Sequence, residues 1–188
     1  MDNEEFLKQL LERMTASITT SAVRRQGPKG TKQAAQDFLS ESELITEFSR
    51  TGNAKSFLEM LNRKTLDLQK ALPVHEGHGG YWGTARKCLN IFLFECSLNR
   101  HLYGHYSLAR LEGWLEVPLD SLVGTELKKD AQELLGRQIP AWNTIKGLTK
   151  ETSDIFQAAA SDVAAKYGSS RAELDLRYWR RVQEATNP

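Results

Sequence analysis

The run Cys88 to Leu98, CLNIFLFECSL, has no polar stripe at helical spacing, because Leu89, Ile91, Phe92, Leu93, Phe94, Cys96 and Leu98 cover most of the helical wheel. A helix apolar on nearly every side belongs in the interior, and residues 86–100 are therefore expected to form a central buried helix. Other segments are amphipathic. Residues 2–14 carry acids early and put Phe6, Leu7, Leu10, Leu11 and Met14 on one stripe. A long helix is expected over 54–72, with Phe57, Leu58, Leu61, Leu66 and Leu68 inward and Pro73 as its stop. Further helices are expected over 121–135, in a short piece opened by Pro140-Ala141-Trp142, and over 151–167 with Gly168 as C-cap. Two capping-box spacings, Ser40 to Glu43 and Ser170 to Glu173, mark helix starts, the second ahead of Leu174, Leu176, Tyr178 and Trp179. No segment alternates with period two, and no repeat or low-complexity tract occurs. The expectation is an all-α protein: one globular domain over 1–188 with about eight to ten helices joined by short loops.

Composition adds bounds rather than identity. The chain has 188 residues, 40% of them hydrophobic, with a net charge of +1. That suffices for a sizeable core and does not make the protein a strongly basic nucleic-acid coat, although a local basic groove stays compatible with it. Cys88 and Cys96 stand eight residues apart on the same apolar helix, about 12 Å along its axis. That is too far for a disulfide, and they read as small apolar residues suited to a reducing compartment. With no signal peptide and no long apolar run, the expected setting is cytoplasmic, without a membrane, and the expected state monomeric.

Candidate chemistry concentrates between His75 and Gly124. A loop holding Gly77, Gly79, Gly80 and Gly83 leads to Arg86 and Lys87, which on this pattern fall in the first turn of the apolar helix. Cations prefer helix C-termini, and a lysine at the positive end of a buried helix would have its pKa lowered, which is what an amine nucleophile needs. Elsewhere, Arg24, Arg25, Lys29 and Lys32 surround Gly27-Pro28 and Gly30, the most basic loop of the chain and suited to phosphate. All four histidines, His75, His78, His101 and His105, lie in the central stretch at i,i+3 and i,i+4 spacings, which is compatible with a shared metal on a helix. The segment Arg100 to His105 is similar to the R-x4-H motif of HEPN-type ribonucleases, helical proteins of bacterial conflict systems.

The order glycine loop, Lys87, apolar helix and Asp120 resembles the helix-hairpin-helix DNA glycosylases, a superfamily that includes endonuclease III and the 8-oxoguanine glycosylases. Gly83-Thr84-Ala85-Arg86-Lys87-Cys88-Leu89-Asn90 corresponds to the second half of the hairpin. Asp120 in Val117-Pro118-Leu119-Asp120-Ser121-Leu122-Val123 corresponds to the family aspartate. The spacing 120 − 87 = 33 is similar to that of the archaeal 8-oxoguanine glycosylases. The resemblance implies a glycosylase, with or without lyase activity, that needs no cofactor or metal and excises a damaged or modified base in repair or in defence against foreign DNA. Its partner would be double-stranded DNA with the target base flipped into a pocket. Lys87 would attack the sugar and Asp120 would assist. Tyr81, Trp82, Trp114 and Trp142 would wall the pocket. Gly79, Gly80, Gly83 and Arg86 would hold phosphates together with Arg24, Arg25 and Lys29. The rival readings are the HEPN-like ribonuclease and a non-catalytic helical module that binds nucleic acid or protein.

Overall fold

A computed structural model describes residues 2–24 and 26–186, so Arg25 lies outside the described residues. Among these residues there are nine α-helices, one 3-10 helix and no strand, as the hydrophobic periodicity predicts. None of the helices is long and apolar enough to cross a membrane. The chain divides into two compact units, residues 1–114 and 115–188.

In the first unit, α1 (Asn3–Ala22) starts at Asp2, whose carboxylate accepts the Glu5 N–H at 2.8 Å. It runs eight residues past the expected end at Met14, through a stretch that reads as polar. Thr15 and Thr19 are buried there, and each hydroxyl donates to the carbonyl four residues back, Leu11 at 2.9 Å and Thr15 at 2.8 Å. Threonine satisfies its one polar group within its own helix, so the methyl side can pack like valine. Helix α2 (Thr31–Leu39) buries Ala35 and Leu39. Ser40 closes it rather than opening the next helix, its hydroxyl donating to the Asp37 carbonyl at 3.1 Å. The N-cap of α3 (Ser42–Ser49) is Glu41, which corrects the capping box expected at Ser40. Helix α4 (Ala54–Ala71) has the reciprocal box instead, with Ser56 N–H on Asn53 Oδ1 at 2.9 Å and Asn53 N–H on Ser56 Oγ at 3.2 Å. It buries Phe57, Leu61, Thr65 and Leu68, whereas Leu58 and Leu66, expected inward, are exposed.

Helix α5 (Trp82–Leu98) packs on α4, α1 and α2. It is followed by α6 (Arg100–His105) and the 3-10 helix Leu108–Trp114. Tyr81, Ala85, Cys88, Leu89, Phe92 and Cys96 are fully enclosed, as a helix apolar on nearly all sides requires.

The second unit is a three-helix arrangement in which α7 (Ser121–Leu135) contacts both α8 (Lys150–Tyr167) and α9 (Leu174–Thr186). Gly168 closes α8 at φ 64°, the left-handed C-cap the sequence pattern indicates. Ser170 and Glu173 make half of the expected box, the Glu173 carboxylate accepting the Ser170 N–H at 2.6 Å. Residues 140–142 are irregular rather than helical. Trp142 lies flat on Gly124 of α7 and edge-on to Phe156 of α8, with ring centroids 5.6 Å apart. The buried segment before α7 is fixed by Gln157, whose side-chain amide donates to the Val117 carbonyl at 2.8 Å and accepts the Val117 N–H at 3.2 Å. Arg181 of α9 reaches both oxygens of Asp130, at 2.9 and 3.1 Å, and also Glu126 at 3.2 Å. Tyr167 of α8 donates to the same Asp130 at 2.9 Å. One carboxylate on α7 thereby ties together all three helices.

Two measurements check this unit. A Cβ at Gly124 would stand 2.4 Å from the Trp142 ring, so Gly124→Ala should cost about 1–3 kcal/mol in urea unfolding and shift the tryptophan emission. Burial pushes the Glu126 carboxyl up, but Lys129 and Arg181 outweigh it and hold it below its ordinary value of 4.5. The stabilisation is then complete above about pH 5 and is lost as pH falls through the depressed folded value. Glu126→Gln should therefore lose about 1 kcal/mol at neutral pH, with the deficit shrinking on acidification.

Candidate functional site

The helix carrying Lys87 starts earlier than the apolar pattern indicates. Ala85 N–H bonds the Tyr81 carbonyl at 3.0 Å, so the first turn of α5 is Trp82-Gly83-Thr84-Ala85 and Lys87 is the sixth helical residue. This corrects the expectation of a lysine in the first turn, since the dipole effect fades beyond that turn. Lys87, Ile91, Glu95 and Leu98 follow one another at helical spacing and form a stripe of α5 that meets solvent, Leu98 being 58% exposed. Lys87 is half-buried at the start of this stripe.

Arg86, one residue earlier, turns inward and is 2% exposed. Its Nη1 donates to Asn62 Oδ1 at 2.9 Å and Thr65 Oγ1 at 3.0 Å, both on α4, and its guanidinium lies 5.4 Å from the Trp82 ring centroid. The expected role for Arg86 on a DNA backbone is thus replaced by an interior one, pinning α5 to α4. Cys88 is equally enclosed, and burial pushes its thiol up to about 12, so it is no nucleophile near neutral pH.

The glycine-rich loop stays at the surface. His75, His78 and Gly79 are exposed, with Gly80 half-buried. Gly80 has φ 100° and is covered by Gln69 of α4, whose side-chain amide donates to the Gly79 carbonyl at 3.3 Å. Tyr81 ends the loop as a core residue at 0% exposure, with the His78 ring 4.8 Å and the His75 ring 6.4 Å from its own. Trp82 is half-buried. Trp114 is half-buried in the 3-10 helix, its ring 6.1 Å from that of Phe57. Among the described residues no group of three or more His, Cys, Asp or Glu is placed to hold a metal.

In the second unit, Asp120 is the N-cap of α7, its Oδ1 accepting the N–H groups of Leu122 and Val123, each at 3.0 Å. Trp142 packs on Gly124 as described.

The basic loop gains a feature that its sequence pattern only partly shows. Arg24, Lys29 and Lys32 are exposed, and Gly30 opens α2 with φ 97°. No side chain caps this helix and no acidic residue occupies its first turn. The Thr31 N–H and hydroxyl both turn back to the Pro28 carbonyl, at 3.2 and 2.7 Å, so among the described residues no side-chain oxygen accepts from this end. With Lys29 and Lys32 beside it, the N-terminus is electropositive and suited to an anion. The signal was available in Gly30-Thr31-Lys32-Gln33, where the usual Asp, Asn or Ser cap is replaced by glycine and the first turn carries a lysine.

Around α6 the local field is the opposite. Gly104 does not interrupt the helix, and Arg100 and His105 are both exposed, but His105 lines a groove of about 510 Å³ with Asp2, Glu4 and Glu5. Lys8 lines the same groove, so three carboxylates stand against one lysine there, and this excess of negative charge disfavours a phosphate backbone and counts against the ribonuclease reading.

Neighbouring residues 86 and 87 should behave in opposite ways. Arg86→Met should cost about 3 kcal/mol or more, because Asn62 and Thr65 lose a charged donor inside the protein. Lys87→Gln should change stability by no more than about 1 kcal/mol. Paired thermal or urea unfolding curves check this, and the reverse order would contradict the geometry. The chain matches no protein-family model, no curated protein and no solved structure.

Proposed function

We propose that the protein binds the backbone of double-stranded DNA and excises a damaged or modified base, with Lys87 as the amine nucleophile. The observation that carries the binding half is the uncapped N-terminus of α2 with Arg24, Lys29 and Lys32 exposed around it. Backbone amides and cations together form the usual grip on a phosphate, and they act on every sequence alike. The catalytic half rests on the resemblance to the helix-hairpin-helix glycosylases and is compatible with Lys87 reaching solvent along the stripe of α5. In this reading the Lys87 amine attacks the sugar C1′, the base leaves, and the resulting imine is the species borohydride reduces. The same resemblance gives Asp120, the N-cap of α7, the assisting role in base removal.

The two halves are tested separately. Lys29→Ala with Lys32→Ala should weaken duplex binding for all sequences and lower the slope of log K against log salt by about 1 per cation removed. An unchanged slope removes the α2 end from the DNA site. For the chemistry, wild-type protein incubated with duplexes carrying oxidised, deaminated or alkylated bases should give a borohydride-trapped adduct, and Lys87→Gln should abolish it while the protein remains folded. Asp120→Asn should preserve the cap, since asparagine caps about as well as aspartate, and should slow base removal by orders of magnitude. Binding without any trapped adduct or released base would leave a non-catalytic DNA-binding protein.

A further inference from the structure

Helix α9 packs on α7 through Leu174 and Tyr178, both at 0% exposure. Its opposite face is unusual for a surface. Leu176 and Trp179, one turn apart, are 52% and 60% exposed, and Arg180 follows directly. Beside them runs a groove of about 470 Å³ lined by Leu176, Arg177, Arg180, Arg181 and Glu184. A tryptophan ring left mostly in water costs hydration free energy that any buried position would recover.

Two properties decide what covers this face. The first is area. One tryptophan and one leucine offer about 150–250 Å² for the ring and less for the aliphatic chain, against an apolar share of somewhat over half of the about 800 Å² per partner in a stable protein interface. A second copy of the chain or a folded partner therefore finds too little apolar surface here. A single nucleobase does not, because stacking needs only one accessible ring. The second is charge. Arg181 is engaged by Asp130 and Glu126, but Arg177 lies with its guanidinium 3.5 Å from the Tyr167 ring centroid, a contact that leaves its charge unneutralised. Among the described residues Arg180 pairs with Glu184 at 2.7 Å, with the two side chains 79% and 64% exposed. An exposed pair of that kind contributes little and exchanges readily with a phosphate.

We propose that the outer face of α9 is a stacking platform for one unpaired base of single-stranded nucleic acid, with Trp179 on the base and Arg180 and Arg177 on the flanking phosphates. This surface does not depend on Lys87 or on the α2 end, and its test is separate from theirs.

The probes are fluorescein-labelled oligothymidylate and oligouridylate of about twelve nucleotides, within the span such proteins cover. Each is titrated with the full chain at low salt and followed by anisotropy, with tryptophan emission recorded in parallel. Wild-type protein should bind and show quenched emission. Trp179→Ala should weaken binding about ten-fold or more and remove the quench, Trp179→Phe should retain most of the affinity, and Arg180→Gln should weaken binding several-fold and reduce its salt dependence. The Lys29/Lys32 variant separates this surface from duplex binding, since it should lose duplex affinity and keep the Trp179-dependent quench. Because Trp179 is exposed, its variants should melt with the wild type. Three results would each overturn the platform: no binding of either oligonucleotide by the wild type at low salt, equal affinity in Trp179→Ala, or Trp179→Ala dissolving a dimer seen by sedimentation while oligonucleotide affinity stays unchanged. A preference for one of the two probes would tell DNA from RNA as the strand served.

Discussion

The first unit depends on keeping the Arg86 guanidinium inside the protein, where its Nη1 donates to two side chains of α4. An arginine at 2% exposure would be expelled if it lacked acceptors, and α5 would rotate with it. Asn62 and Thr65 prevent this from one face of α4, which fixes the rotation of α5 about its axis and its register against α4. Everything else about α5 follows from that rotation. Cys88, Leu89 and Phe92 are turned inward, and the stripe starting at Lys87 is turned out. A buried polar contact of this kind specifies orientation where apolar packing alone, nearly uniform around the helix, would leave several rotations close in energy.

In the second unit the corresponding role falls to Asp130. Arginine supplies a planar pair of donors, and Tyr167 supplies a third from another helix, so one carboxylate sets the mutual angles of α7, α8 and α9. Trp142 then fills the space over Gly124, the only residue type whose missing Cβ admits an indole at that distance. The two units thus share a principle: directional polar contacts choose among arrangements that hydrophobic burial has already made compact.

How much of this could be read from the chain depends on whether the information is periodic or pairwise. The all-helical class, the burial of Cys88, Leu89, Phe92 and Cys96 and the C-cap at Gly168 follow from spacing, and spacing is visible in a sequence. The eight further residues of α1 are hidden because Thr15 and Thr19 count as polar until their hydroxyls are seen bonded to their own helix. Ser40 carries the right letters for a cap but is used at the other end of a helix, since the same hydroxyl serves either terminus. The candidate site was legible to a different degree. The basic loop was identifiable by composition, and its electropositive helix end partly so. That Arg86 points in while Lys87 points out depends on the rotation of α5 about its axis, which Asn62 and Thr65 fix from α4 and which the spacing within α5 alone does not show.

The segment before α7 carries a different lesson. Val117 has both backbone groups satisfied by one glutamine side chain, as a neighbouring strand would satisfy them in a sheet. The bond uses nothing of valine except its main chain, so position 117 is constrained only by the volume available to it. Position 157 is constrained in kind: the residue must present a donor and an acceptor side by side at the end of two methylenes, and glutamine alone among the twenty does so. Substitution tolerance along this chain is therefore inverted from the usual expectation at this contact, with the helix-borne polar residue the more fixed of the two and the buried apolar one the more exchangeable.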